Sequence, residues 1–154
     1  MAGLVAKTQD LKVSGDSASP IIPQTEVVQK LVSVSGLVID RPPVPVQVTA
    51  FGRKQAHCWI GGSSGELGNM VASFPHKNNY DGSSLPVTSH LMGGNGNDET
   101  AVAQMATRLT IKTNWPVFLS SSFVVGVGDE EGEKVLRKVE KEIVDIIEGL
   151  KAQS

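Results

Sequence analysis

Charge of either sign is scarce in this chain, and the two signs nearly cancel. Fourteen Lys+Arg stand against 16 Asp+Glu, for a net charge of −2 over 154 residues. No basic cluster exists to follow a phosphate backbone, so nucleic acid is not an expected partner. A single cysteine, Cys58, excludes an internal disulfide framework and fits a reducing compartment. No apolar run approaches the roughly 18 residues of a spanning helix, so a membrane is not expected either. The start, Met-Ala-Gly-Leu-Val-Ala-Lys, lacks a basic region followed by a long apolar core and does not read as a secretory signal. No Asn-x-Ser/Thr acceptor occurs. The expected address is cytoplasmic, with nuclear access open to so small a protein.

Aromatic residues are few and unevenly placed. All of them, two Trp, one Tyr and four Phe, lie from Phe51 to Phe123. Prolines are biased the other way, with Pro20, Pro23, Pro42, Pro43 and Pro45 clustered ahead of Val46. This shift divides the chain into an extension, residues 1–43, expected to be largely flexible, and a domain over residues 44–151. Residues 25–39 resist the first description, because Val27, Val28, Leu31, Val32, Leu37 and Ile39 could dock as a strand or a short helix. Periodicity does not separate the two in so short a run.

What the chain has in quantity is alternation. Val44, Val46, Val48 and Ala50 share one parity, with Gln47, Thr49 and Phe51 on the other, which reads as a strand. A turn at residues 52–54 joins it to a second strand at 55–60, and the pair reads as a hairpin. Further strands are expected at 67–74, 85–92 and 117–125. Asp98 reads as the N-cap of a helix carrying Ala101, Val102, Met105, Ala106 and Leu109 at helical spacing. Asn114 suits a left-handed C-terminal position, and Pro116 ends the helix. A glycine-rich acidic loop at 126–132 precedes a second helix, 133–150, striped by Val135, Leu136, Val139, Ile143, Ile146, Ile147 and Leu150. Strands with two late helices predict an α+β fold: a mostly antiparallel β-sheet of about five to six strands with two main helices on one face.

Catalytic constellations are wanting. Gly61-Gly62-Ser63-Ser64-Gly65 fits the Gly-x-Ser-x-Gly of a nucleophile elbow and follows a strand, which raises a small serine hydrolase using Ser63 as an alternative. That chemistry needs a helix immediately afterwards, and Glu66-Leu67-Gly68-Asn69-Met70 opens none. A hairpin loop built from turn-forming Gly and Ser accounts for the motif. Gly126-Val127-Gly128 and Gly93-Gly94-Asn95-Gly96 complete no phosphate-binding spacing. His57, Cys58, His76 and His90 have no metal-ligand spacing. No catalytic residue, metal or cofactor is expected, and the chain is not expected to be an enzyme.

The geometric signal is stronger. Several strands are apolar on both faces: Cys58 and Ile60 oppose Trp59, Val71 opposes Met70, Ala72 and Phe74, and Val117 and Leu119 oppose Phe118. Two helices cover one face of such a sheet and leave the other bare. A large bare apolar face marks a protein interface. Two covers are available, a partner protein or residues 25–39 of the chain itself, and the partner is the favoured one. The expected interface residues are Trp59, Met70, Ala72, Phe74 and Phe118.

A family resemblance accompanies these residues. Trp59-Ile60-Gly61, Leu67-Gly68-Asn69-Met70 and the run Leu85-Pro86-Val87-Thr88-Ser89-His90-Leu91-Met92-Gly93 come first. Ala103-Gln104-Met105-Ala106-Thr107-Arg108-Leu109, Lys112-Thr113-Asn114 and Val117-Phe118-Leu119-Ser120 follow in order. Together they resemble the proteasome assembly chaperone 4 family. The resemblance implies a non-enzymatic chaperone that pairs as a heterodimer with proteasome assembly chaperone 3, the two sheets packed together and the helices outside. It further implies support for the alpha ring of the 20S proteasome through alpha-type subunits, notably the fifth. A profilin-like adaptor scaffold, which also has a helix-covered sheet, is the remaining alternative.

Overall fold

The computed structural model describes residues 24–38, 40–52, 54–62, 65–77, 81–82, 84–93, 97–126 and 128–153, side chains of 97–99 excepted. Several sequence expectations lie outside the described residues: the flexible stretch 1–23, Ile39, Ser63 and the capping side chain of Asp98. The elements run β1 (Thr25–Val32), β2 (Val44–Phe51), β3 (Gln55–Ile60), β4 (Asn69–Phe74), β5 (Val87–Met92), α1 (Asn97–Thr113), β6 (Val117–Ser121) and α2 (Glu130–Ala152). The strands form one open sheet in the order β1-β2-β3-β6-β4-β5. Every pairing is antiparallel except β3 with β6. The fold is α+β, as the sequence pattern predicts.

Residues 25–32 resolve as a strand. They pair along their whole length with β2, Val28 opposite Val48 and Val32 opposite Val44, and so extend the sheet sideways. They do not lie over its bare face. This excludes these strand residues as the self-cover considered above.

Both helices lie on the same side of the sheet, α1 over β4, β5 and β6, and α2 over β1 and β2. Alternation delivers Val46, Val48, Cys58, Ile60, Val71 and Leu119 to that side, each at most 2% exposed. Val139, Ile143 and Ile147 of α2 meet them with no exposed surface. Full burial of each such side chain contributes about 1.5–3 kcal/mol relative to exposure. Burial in this layer also pushes the Cys58 thiol up to about 12, so Cys58 is an inert core residue.

Element ends differ from the sequence expectation for local reasons. Strand β4 starts at Asn69, not 67, because Gly68 sits at φ 65°, outside extended backbone. Helix α2 begins at Glu130, not 133. Asp129 caps it, its carboxylate accepting from the Gly132 N–H at 3.0 Å, and Glu130, Glu131 and Glu133 favour the first turn's dipole. Strand β6 ends at Ser121, four residues early, where the Ser121 hydroxyl takes up the backbone of Phe123, accepting from its N–H at 3.3 Å. Asn114 does take the left-handed position, at φ 56°.

Candidate functional site: the open face of the sheet

The face away from the helices follows from register. Trp59 pairs with Gln47 and Ser120, Ala72 with Phe118, Met70 with Ser120, and Phe74 with Val87. All five sequence-expected interface residues, Trp59, Met70, Ala72, Phe74 and Phe118, therefore share this face. Their exposure differs. Ala72 is buried at 2%, Phe74 is 42% exposed, and Trp59, Met70 and Phe118 are intermediate. The Phe74 and Phe118 rings stand edge to face at 88° with centroids 5.7 Å apart, which fixes both. The Trp59 indole N–H donates to the Glu66 carbonyl at 3.1 Å.

Other residues of this face escaped the sequence reading. Val27, Leu31 and Phe51 bring apolar surface to the β1–β2 side, at 54%, 67% and 39% exposure. Between them and the aromatic pair runs a polar strip. Gln29 donates to Gln47 at 2.9 Å, Gln47 to Thr49 at 3.4 Å, and His57 Nε2 lies 3.1 Å from Ser120 Oγ. The face is thus two apolar areas joined by neutral hydrogen-bonding groups, not the uniformly apolar surface expected. The signal was present in the parity of Gln47 and Thr49, opposite Val46 and Val48.

Among the described strand residues, charge lies on the other side of the sheet. Glu26 and Lys30 of β1 alternate to the helix side, where Lys30 pairs with Glu142 of α2. Between the helices, Glu140 is 4% exposed and accepts from Arg108 at 2.9 and 3.1 Å and from Lys112 at 2.9 Å. Burial alone would raise the Glu140 carboxyl; the hydrogen bonds and positive charges of Arg108 and Lys112 outweigh it and hold the group below its ordinary value. Arg41 reaches Asp129 at 2.7 Å, and the Val38 N–H donates to Glu131 at 2.6 Å, tying the β1–β2 connection to the start of α2.

Ser63 lies outside the described residues, and the described residues on either side of it form no helix. The chain leaves β3, crosses the end of β6 and enters strand β4, so the helix that an elbow requires is missing. The glycines serve close approach instead. A Cβ at Gly62 would sit 2.5 Å from the Ser122 carbonyl oxygen, and one at Gly68 only 2.0 Å from that of Ser121. No group of three or more His, Cys, Asp or Glu side chains is placed to hold a metal among the described residues. No helix among them is long and apolar enough to cross a membrane.

The chain is a two-layer α+β module whose sheet face away from the helices carries no charged residue among its described strand positions. Residues 43–123 match the family model of proteasome assembly chaperone 4, and the chain belongs to that family. A similar solved structure is a chain of a novel chaperone complex for yeast 20S proteasome assembly. It has 12% identity and a TM-score of 0.55, covering 82% of this chain and 98% of that one. At that identity the likeness is one of fold. No curated protein matches the chain.

Proposed function

We propose that the chain is a non-enzymatic chaperone of 20S proteasome assembly that works as a heterodimer with proteasome assembly chaperone 3, sheet against sheet. The observation that carries this reading is the open face: six strands wide, uncovered by either helix, and without a charged side chain among its described strand residues. Six strands about 4.8 Å apart and six residues long span about 24 by 20 Å, or about 500 Å² in projection. Side-chain relief brings this toward the roughly 800 Å² per partner of a standard interface. Membership of the assembly chaperone family supplies the direction of the reading.

The dimer in turn would hold alpha-type subunits, notably the fifth, during formation of the alpha ring. Holding stabilises a free subunit by mass action, and ring contacts that bind it more tightly displace the chaperone. The purified chain mixed with proteasome assembly chaperone 3 is expected to give a one-to-one complex by light scattering. Two well-folded proteins that stay separate at tens of micromolar would remove the heterodimer. Addition of the fifth alpha-type subunit is expected to give a ternary complex, and its absence would remove that step alone.

A further inference from the structure

Among its described strand residues the open face has one titratable side chain, and it lies near the middle. Among its strand residues β1 supplies Thr25, Val27, Gln29 and Leu31, and β2 supplies Pro45, Gln47, Thr49 and Phe51. From β6 come Phe118 and Ser120, from β4 Met70, Ala72 and Phe74, and from β5 Val87 and Ser89. None of these ionises. Strand β3 adds Gln55, Trp59 and His57.

We propose that His57, near the middle of this face, makes the sheet-to-sheet pairing proposed above weaken in acid. The inference rests on the heterodimer reading above and names the group that would regulate it. Thr49 faces His57 from β2, and Phe118 and Ser120 face it from β6. Gln55 and Trp59 flank it on its own strand. No carboxylate stands among these neighbours to stabilise an imidazolium, and both helices lie on the other side of the sheet. Burial already holds the imidazole below its ordinary value in the free chain. A covering sheet without charge removes more water and lowers it further.

The sign follows from linkage. A group whose value is lower in the complex than in the free chain favours the complex above the free value. That contribution is lost as pH falls through the free value toward the bound one. Where only the neutral form binds, the association constant falls about tenfold per pH unit below the free value. Neutral His57 also keeps its hydrogen bond with Ser120, so the strip enters the interface with its groups paired.

The experiment is calorimetric titration of the chain with proteasome assembly chaperone 3 from pH 7.5 to 5.5, with circular dichroism confirming that both proteins stay folded. The native chain is expected to lose affinity several-fold across that range, at most about tenfold because the free value lies below the ordinary one of about 6.5. His57→Gln, whatever its affinity at pH 7.5, is expected to lose at most threefold from that value across the same range. A second measurement follows the His57 Cε1–H resonance, whose titration midpoint is expected to lie lower in the complex than in the free chain. An equal fall in affinity with pH for native and His57→Gln, or equal midpoints, would overturn the inference and leave the heterodimer standing. No complex at any pH would defeat both. A homodimer seated on this face, shown by sedimentation of the chain alone, would overturn the choice of occupant.

Discussion

Gly68 shows how little freedom a single position has at the crossing of β6. Its φ of 65° is costly for any other residue, and a Cβ there would lie 2.0 Å from the Ser121 carbonyl oxygen. Gly68→Ala is expected to destabilise the chain by about 2–3 kcal/mol, read from urea unfolding, whereas Gly82→Ala, at a similar φ but with open space around it, is expected to cost about 1 kcal/mol. Trp59 differs in kind. Its ring is half-buried and its indole N–H is held by the Glu66 carbonyl, which suits it to anchor the proposed interface. Trp59→Ala is expected to weaken the heterodimer by about 2 kcal/mol or more, measured by calorimetry at pH 7.5. An unchanged affinity would place the contact elsewhere on the sheet. These residues were unequally legible in the sequence. Alternation set Trp59 apart from Cys58 and Ile60, but nothing local reveals that Gly68 approaches Ser121, because that contact joins distant segments.

At the scale of elements, α1 and α2 are joined by a buried carboxylate. Glu140 accepts from both Arg108 and Lys112, each about half exposed. Removal of the carboxylate leaves two cations that water can reach, so the loss stays moderate. Glu140→Ala is expected to cost about 1–2 kcal/mol in urea unfolding. The depressed Glu140 carboxyl sets the direction with pH. Its contribution is fully present above the unfolded value, about 4.3, and is lost as pH falls through the lower folded value. Glu140→Gln is therefore expected to flatten the fall of stability below about pH 4.5 relative to the native chain. Helix α2 was legible because Val135, Val139, Ile143 and Ile147 repeat at helical spacing. Its first turn was not, since Gly132 reads as a loop residue until Asp129 is seen to cap it. Strand β1 stayed ambiguous because Val27 and Leu31, half to two-thirds exposed, face opposite to Val28 and Val32. A run that is apolar on both parities carries no single period.

For the whole molecule, β1 is an edge strand latched by Lys30 to Glu142 and continuous with the segment that Arg41 ties to Asp129. A chain that starts at Val44 loses that latch and bares the edge of β2. It is expected to melt several degrees lower than the full chain by differential scanning calorimetry and to aggregate at lower concentration. Fold class and the existence of a free face were readable from alternation and from the count of helices. The neutral strip across that face was not, because it is defined by neighbours on four strands whose order only the assembled sheet reveals.

That order carries a kinetic consequence. Strand β6 is the seam: on one edge it runs alongside β3, on the other against β4, and no other strand joins the two parts. During synthesis the β1–β3 meander and the β4–β5 hairpin emerge first and remain separate pieces until the ribosome has released Ser121. Only then does a keystone exist, and the long loop it closes is the slow, entropy-limited event. Refolding is expected to be governed by insertion of this one segment, so that Leu119→Ala slows folding more than Val32→Ala at matched loss of stability.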